Sequence, residues 1–186
     1  MKMEYRVSEY PLFSTCGLNC GLCPRYYTDG DSRCPGCAGV GFSEVHPPCA
    51  KLSCSQNKGV EYCFLCKNFP CKKYDGVDTS DSFISHKNQF RDIEKAKEIG
   101  LEAYKAELNA KVLLLQELLD SYDDGRRKSF YCNAVNLFEL SDINLLMAQI
   151  RSETQDLGAV KEKAKVAVGL IQSHADETGI SLKLRK

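Results

Sequence analysis

The chain of 186 residues has no tryptophan, only three histidines and no excess of either charge, since 25 Lys and Arg balance 25 Asp and Glu. Neutrality argues against a protein held mainly by broad attraction to nucleic acid or to an acidic membrane. Long hydrophobic runs are missing too. The longest uncharged apolar stretch, residues 166 to 171, is far too short to span a bilayer. Charges at Lys2, Glu4, Arg6 and Glu9 leave no apolar core for a signal peptide. A cytoplasmic protein without membrane attachment is therefore expected. There is no Ser/His/Asp arrangement, no glycine-rich phosphate loop and no His-Glu-x-x-His, so the sequence leans away from an enzyme and offers no catalytic residue.

What the chain does have is cysteine. There are 11, and ten of them lie between Cys16 and Cys71. In a reducing compartment such density points to metal rather than to disulfides, and an odd total fits a disulfide framework poorly. Residues 10 to 75 also hold all six prolines and show little helical or strand period. A segment of this size with scattered apolar residues would be marginal without a cross-link or metal. From Ser80 onward the pattern turns helical. Leu101, Tyr104, Leu108, Val112, Leu115 and Leu119 form one apolar stripe. That helix is predicted to start near His86, to be interrupted at Gly100 and to end at Asp123-Asp124-Gly125. A short helix from Arg126 to Phe138 follows. Ser141 or Asp142 is predicted to cap a longer one, with Ile143, Leu146, Ile150, Leu157, Val160 and Ala164 facing inward and Gly158 as a point where it is weakened or split. Ile180 to Leu184 alternates as a short strand or a tail. The expected fold is mainly α, with an irregular, cysteine-rich, metal-stapled domain over residues 1–75, small β-hairpins allowed, and a helical domain over 76–186.

The ten cysteines are spaced C-x3-C-x2-C-x10-C-x2-C-x11-C-x4-C-x8-C-x2-C-x4-C. Cys20/Cys23, Cys34/Cys37 and Cys63/Cys66 are C-x2-C knuckles, whose short gap lets both sulfurs reach one ion from a tight turn. Two four-thiolate zinc sites fit the count. In sequential pairing Cys20, Cys23, Cys34 and Cys37 form one, while Cys54, Cys63, Cys66 and Cys71 form the other. Cys16 and Cys49 are then extra or alternate ligands, and an interleaved pairing is equally allowed. Iron is the alternative. Cys16, Cys20 and Cys23 have the spacing by which radical S-adenosylmethionine enzymes hold a [4Fe–4S] cluster, and Cys63, Cys66 and Cys71 would suit an auxiliary one. No barrel of alternating strands and helices follows, however, and no Gly-Gly-Glu appears.

Read in order, Cys16-Gly-Leu-Asn-Cys-Gly-Leu-Cys-Pro, Cys34-Pro-Gly-Cys, Lys58-Gly-Val-Glu-Tyr-Cys, Cys66-Lys-Asn-Phe-Pro-Cys and Asp123-Asp-Gly-Arg-Arg-Lys-Ser-Phe-Tyr-Cys resemble a bacterial and archaeal family. That family is catalogued as domain of unknown function number thirty-seven ninety-five. The resemblance implies a metal-binding cysteine domain followed by helices, and no reaction.

Three further groups were candidates. His46, between Cys37 and Cys49, is the histidine best placed to be a ligand; His86 and His174 are expected on helix surfaces. Arg126, Arg127 and Lys128, with Lys72 and Lys73, would form an anion or nucleic-acid patch or a solvated surface. Cys132 is either a nucleophile activated by Arg127 or Lys128 or an inert buried thiol, the second being favoured. The expectation from sequence is thus a zinc-finger-like, cytoplasmic protein with two or more zinc ions in structural sites. Its partner would be a protein or, more weakly supported, nucleic acid. The alternative is an iron–sulfur redox or enzyme-accessory protein.

Overall fold

A computed structural model describes residues 5–186; Lys2 and Glu4, which argued against a leader, lie outside the described residues. The chain is mainly helical, and no strand occurs among the described residues, so the β-hairpins allowed above do not form there. The first part is a series of one-turn 3-10 segments, including Cys20–Leu22 and Cys63–Leu65, with two short helices, α1 (Phe42–Val45) and α2 (Ala50–Asn57). Five further helices follow: α3 (Gln89–Glu98), α4 (Leu101–Tyr122), α5 (Lys128–Leu137), α6 (Leu140–Thr154) and α7 (Val160–Glu177).

α4 is the axis of the molecule and packs against α3, α5, α6 and α7. The expected stripe is buried through Tyr104, Leu108, Val112 and Leu115, after which Leu118 takes the fully buried place and Leu119 lies at its edge. This drift follows from 3.6 residues per turn over six turns. Gly100 breaks the backbone between α3 and α4 as expected. On α5, Tyr131, Cys132, Ala134 and Val135 are completely buried, and α7 brings Ala164, Ala167 and Ala175 against its neighbours, where small side chains permit close approach.

Three helix boundaries differ from expectation. α6 begins at Leu140 with Glu139 in the capping position, and neither Ser141 nor Asp142 caps it. It ends at Thr154, ahead of Gly158, and Val160 opens α7 at 46% exposed rather than on the inner face. The expected helix start at His86 falls at Gln89, because Asp81 takes the His86 amide at 2.8 Å and holds the chain in a turn.

The C-terminal residues form no strand. They lie over the loop that precedes α3: the Arg185 guanidinium meets Asp81 at 2.8 Å, the Arg185 amide donates to the same carboxylate at 2.7 Å, and Lys87 Nζ donates to the Ser181 carbonyl at 2.7 Å. These donors hold the Asp81 carboxyl down at about 2 against the opposing effect of burial.

The main core draws on both halves of the chain. Phe13, Leu22 and Tyr62 belong to the same apolar cluster as Leu115, Tyr131, Phe138 and Ile150. Phe13 packs between Tyr62 and Tyr104, with ring centroids 5.4 and 4.8 Å apart. A second, smaller cluster of Cys37, Ala38, Phe42 and Leu52 lies within the cysteine-rich part, with Cys20, Cys34 and Cys49 against it.

Candidate metal centre

Two of the knuckles are built alike. The Cys23 amide donates to the Cys20 carbonyl at 3.1 Å and the Cys66 amide to the Cys63 carbonyl at 3.0 Å, closing single turns. The Cys34/Cys37 turn relies on Gly36, at φ +87, where a Cβ would strike the Pro11 carbonyl; the Cys37 amide donates to that carbonyl at 2.8 Å.

The cysteines fall into two neighbourhoods. Cys20 lies within electrostatic reach of Cys37, Cys16, Cys23 and Cys34, and Cys37 within reach of Cys16 and Cys49. Cys54, Cys63, Cys66 and Cys71 line one cavity of about 30 Å3, together with Lys51, Lys58 and Lys73. That volume suits one water-sized body. Cys63 is also within reach of Cys16, so Cys16 stands between the two groups. Among the described residues, no three or more Cys, His, Asp or Glu side chains converge as a preformed metal cage.

Burial pushes the thiols of the first group up: Cys23 to about 11, Cys37 to about 12 and Cys20 well above the usual thiol value, the neighbouring sulfurs adding repulsion. Such thiols stay protonated unless a cation shares their space, and a bound divalent ion reverses that balance. The donor set therefore suits a thiophilic metal, zinc or iron. Cys66 differs. The Asn68 amide lowers its thiol first, helped by Lys58, whose Nζ lies 3.6 Å from the sulfur, and by Lys67.

A buried polar network joins this region to the helices, and the sequence pattern gives little notice of it. Asn19, between Cys16 and Cys20, donates from Nδ2 to Asp92 on α3 at 2.8 Å and accepts from the Tyr104 hydroxyl on α4 at 2.9 Å. Asn88 also donates to Asp92 and, at 2.9 Å, to the Asn136 carbonyl on α5. The Cys16 carbonyl accepts from the Tyr74 hydroxyl at 3.1 Å and from Gln89 Nε2 at 2.7 Å. Asp92 and Lys111 carry charge at positions that read as solvated helix, yet they are 4% and 5% exposed. The one available sign was an asparagine held between metal-type cysteines.

Gly17, at φ +90, marks the closest approach. A Cβ there would run into the Ile93 side chain on α3. Gly17→Ala is expected to destabilise the protein by roughly 1–3 kcal/mol through overpacking. Adding Ile93→Ala should recover part of that loss in urea unfolding, whereas strictly additive effects would show that the clash is not the cause.

The remaining candidates occupy ordinary structural places. His46 stacks on Phe42 at 4.4 Å and its Nδ1 lies 2.7 Å from the Pro47 carbonyl. His86 contacts Ser82 at 2.9 Å ahead of α3, and His174 packs edge-on against Phe138. Cys132 is completely buried in α5 and burial pushes its thiol far up, the state of a small apolar side chain. Arg127 pairs with Asp124 at 3.4 Å, Lys128 donates to the Tyr27 carbonyl, and Asp123 accepts the amides of Gly125, Arg126 and Arg127. At the basic start of α5 the Arg127 side chain is therefore paired with a carboxylate, while the Lys128 side chain meets a backbone carbonyl.

No helix among the described residues is long and apolar enough to cross a membrane. No curated protein and no solved structure matches the chain. The family match covers the cysteine-rich part and stops short of the later Asp123-to-Cys132 likeness. Residues 12–76 match the model described as Protein of unknown function (DUF3795).

Proposed function

We propose that the chain is a zinc-binding protein whose thiolate sets are structural and support a surface for a protein or nucleic-acid partner in the cytoplasm. One set is Cys20, Cys23, Cys34 and Cys37, with Cys16 and Cys49 beside them; the other is Cys54, Cys63, Cys66 and Cys71. The observation that carries this reading is the ion-sized cavity lined by four cysteines from three separate stretches of chain. Zinc, when bound, supplies a cross-link. Four thiolates close its coordination shell against water, so such a site stabilises and does not catalyse. Cys20 and Cys63 each open a one-turn segment, which presents a knuckle's two sulfurs on the same side.

The test is metal and acid-labile sulfide analysis of protein purified without oxygen, alongside its visible spectrum. About two zinc ions per chain, no sulfide and no colour are the expected result. Iron with matching sulfide and broad visible absorption would replace this reading with the iron–sulfur alternative.

A further inference from the structure

Charge is evenly balanced in the sequence and unevenly placed in space. Lys51, Lys58 and Lys73 line the cavity of Cys54, Cys63, Cys66 and Cys71, and no carboxylate does. Lys67 lies beside Cys66, and Lys72 adjoins Cys71. Among the described residues, none of these five lysines is in an ion pair. In the helical part Lys95 holds Glu107 and Glu139, Lys97 holds Glu94 and Lys105 holds Glu102, while among the described residues Lys161, Lys163 and Lys165 on α7 are in no ion pair either; what sets the cysteine face apart is that its lysines gather around one cavity. Four thiolates around a divalent ion carry two net negative charges, fewer than the five lysines supply, so this face stays positive when loaded.

Aromatic rings lie among these cations. Phe69, Tyr74 and Phe90 form a triad with centroids 5.1, 5.6 and 6.1 Å apart, and Lys51 Nζ sits 4.7 Å above the Tyr74 ring. Phe90 is 39% exposed, and Leu65, at the tip of the Cys63/Cys66 knuckle, is 57% exposed. Unpaired lysines beside accessible rings match a flexible polyanion whose charges alternate with flat apolar groups. Phosphates meet the ammonium groups and unstacked bases meet the rings. An acidic peptide would use the lysines and leave the rings idle. A duplex would hide its bases.

We propose that the face formed by Lys58, Lys67, Lys72 and Lys73 with Phe69 and Phe90 binds single-stranded nucleic acid. This rests on the zinc reading only in that the metal would fix the knuckle that presents the lysines.

The test is fluorescence anisotropy of a labelled oligouridylate with the full chain across a salt series. Binding should weaken with salt at a log–log slope of about 3, as for four or five phosphate contacts on a single strand. The triple variant Lys67→Glu, Lys72→Glu, Lys73→Glu should weaken binding about thirtyfold or more. Phe90→Ala should weaken it about tenfold. Lys161→Glu with Lys165→Glu on α7 should leave it unchanged. Circular dichroism and zinc content are read on every sample. A folded, zinc-loaded protein that binds no oligouridylate, or binds it without salt dependence, overturns the proposal and leaves the zinc reading intact. Equal or tighter binding of a DNA duplex overturns the single-strand assignment, and equal binding of polyglutamate replaces it with an acidic protein partner. Salt-steep binding by a folded, metal-free protein upholds this proposal and overturns the zinc reading.

Discussion

Removing metal with a strong chelator at neutral pH is expected to lower the stability of the whole chain, including helices distant from any cysteine. A structural zinc in a small domain contributes about 10–16 kcal/mol, against about 5–15 kcal/mol for the entire stability of an ordinary domain. Phe13, Leu22 and Tyr62, which the knuckles position, pack in one cluster with Tyr104, Leu115 and Phe138. Loss of the cross-links should therefore appear in thermal unfolding followed at the helical signal as one transition at much lower temperature, restored by adding zinc back. An unchanged transition after complete metal removal would show that the thiols are not stapling the fold. Cys63→Ser with Cys66→Ser should produce part of the same effect and remove about one ion per chain.

The second large effect is a pH dependence centred on Asp92. Burial raises its carboxyl from 3.8 to about 6, opposed by Lys111, Arg91 and the Asn19 amide, with Glu139 acting in the other direction. Because the folded value lies above the unfolded one, Asp92 favours folding fully below about pH 4, and that contribution is lost as pH rises through 6. The size is on the order of 3 kcal/mol from the two values. Asp92→Asn keeps the shape and stays neutral throughout. Comparison of wild type and variant by urea unfolding from pH 4 to 7 should show the wild type losing about that much relative to the variant. Parallel profiles would mean that the Asp92 carboxylate is stabilised in place at neutral pH.

The helical half was readable because α4 obeys one simple constraint. A long helix with many neighbours must present an apolar stripe, and Tyr104 through Leu115 do so. Its termini were less readable. A backbone amide captured by a distant side chain, as Asp81 does to His86, leaves no local signature. In the cysteine-rich half, spacing pointed to the knuckles, two of which form single turns at Cys20 and Cys63, whereas Cys34/Cys37 with the same gap turns on Gly36. Spacing said nothing of how these knuckles meet the helices. Asn19, Gln89, Asp92, Asn136 and Lys111 look like surface residues when read one at a time. They become interior only when four segments converge, and these side chains are tolerated there because each makes at least one hydrogen bond, Gln89 through its Nε2. The five unpaired lysines were equally hidden, since a balanced total conceals where the balance fails.

The segment that matches the family model, residues 12–76, does not coincide with a unit of cohesion. Phe13, Leu22 and Tyr62 lie inside it, yet they pack in one cluster with residues of the later helices, and the segment meets those helices through α4 and α5. Moved into another polypeptide, the segment would carry its own knuckles but not its own shelter. In this chain the later helices supply that apolar roof.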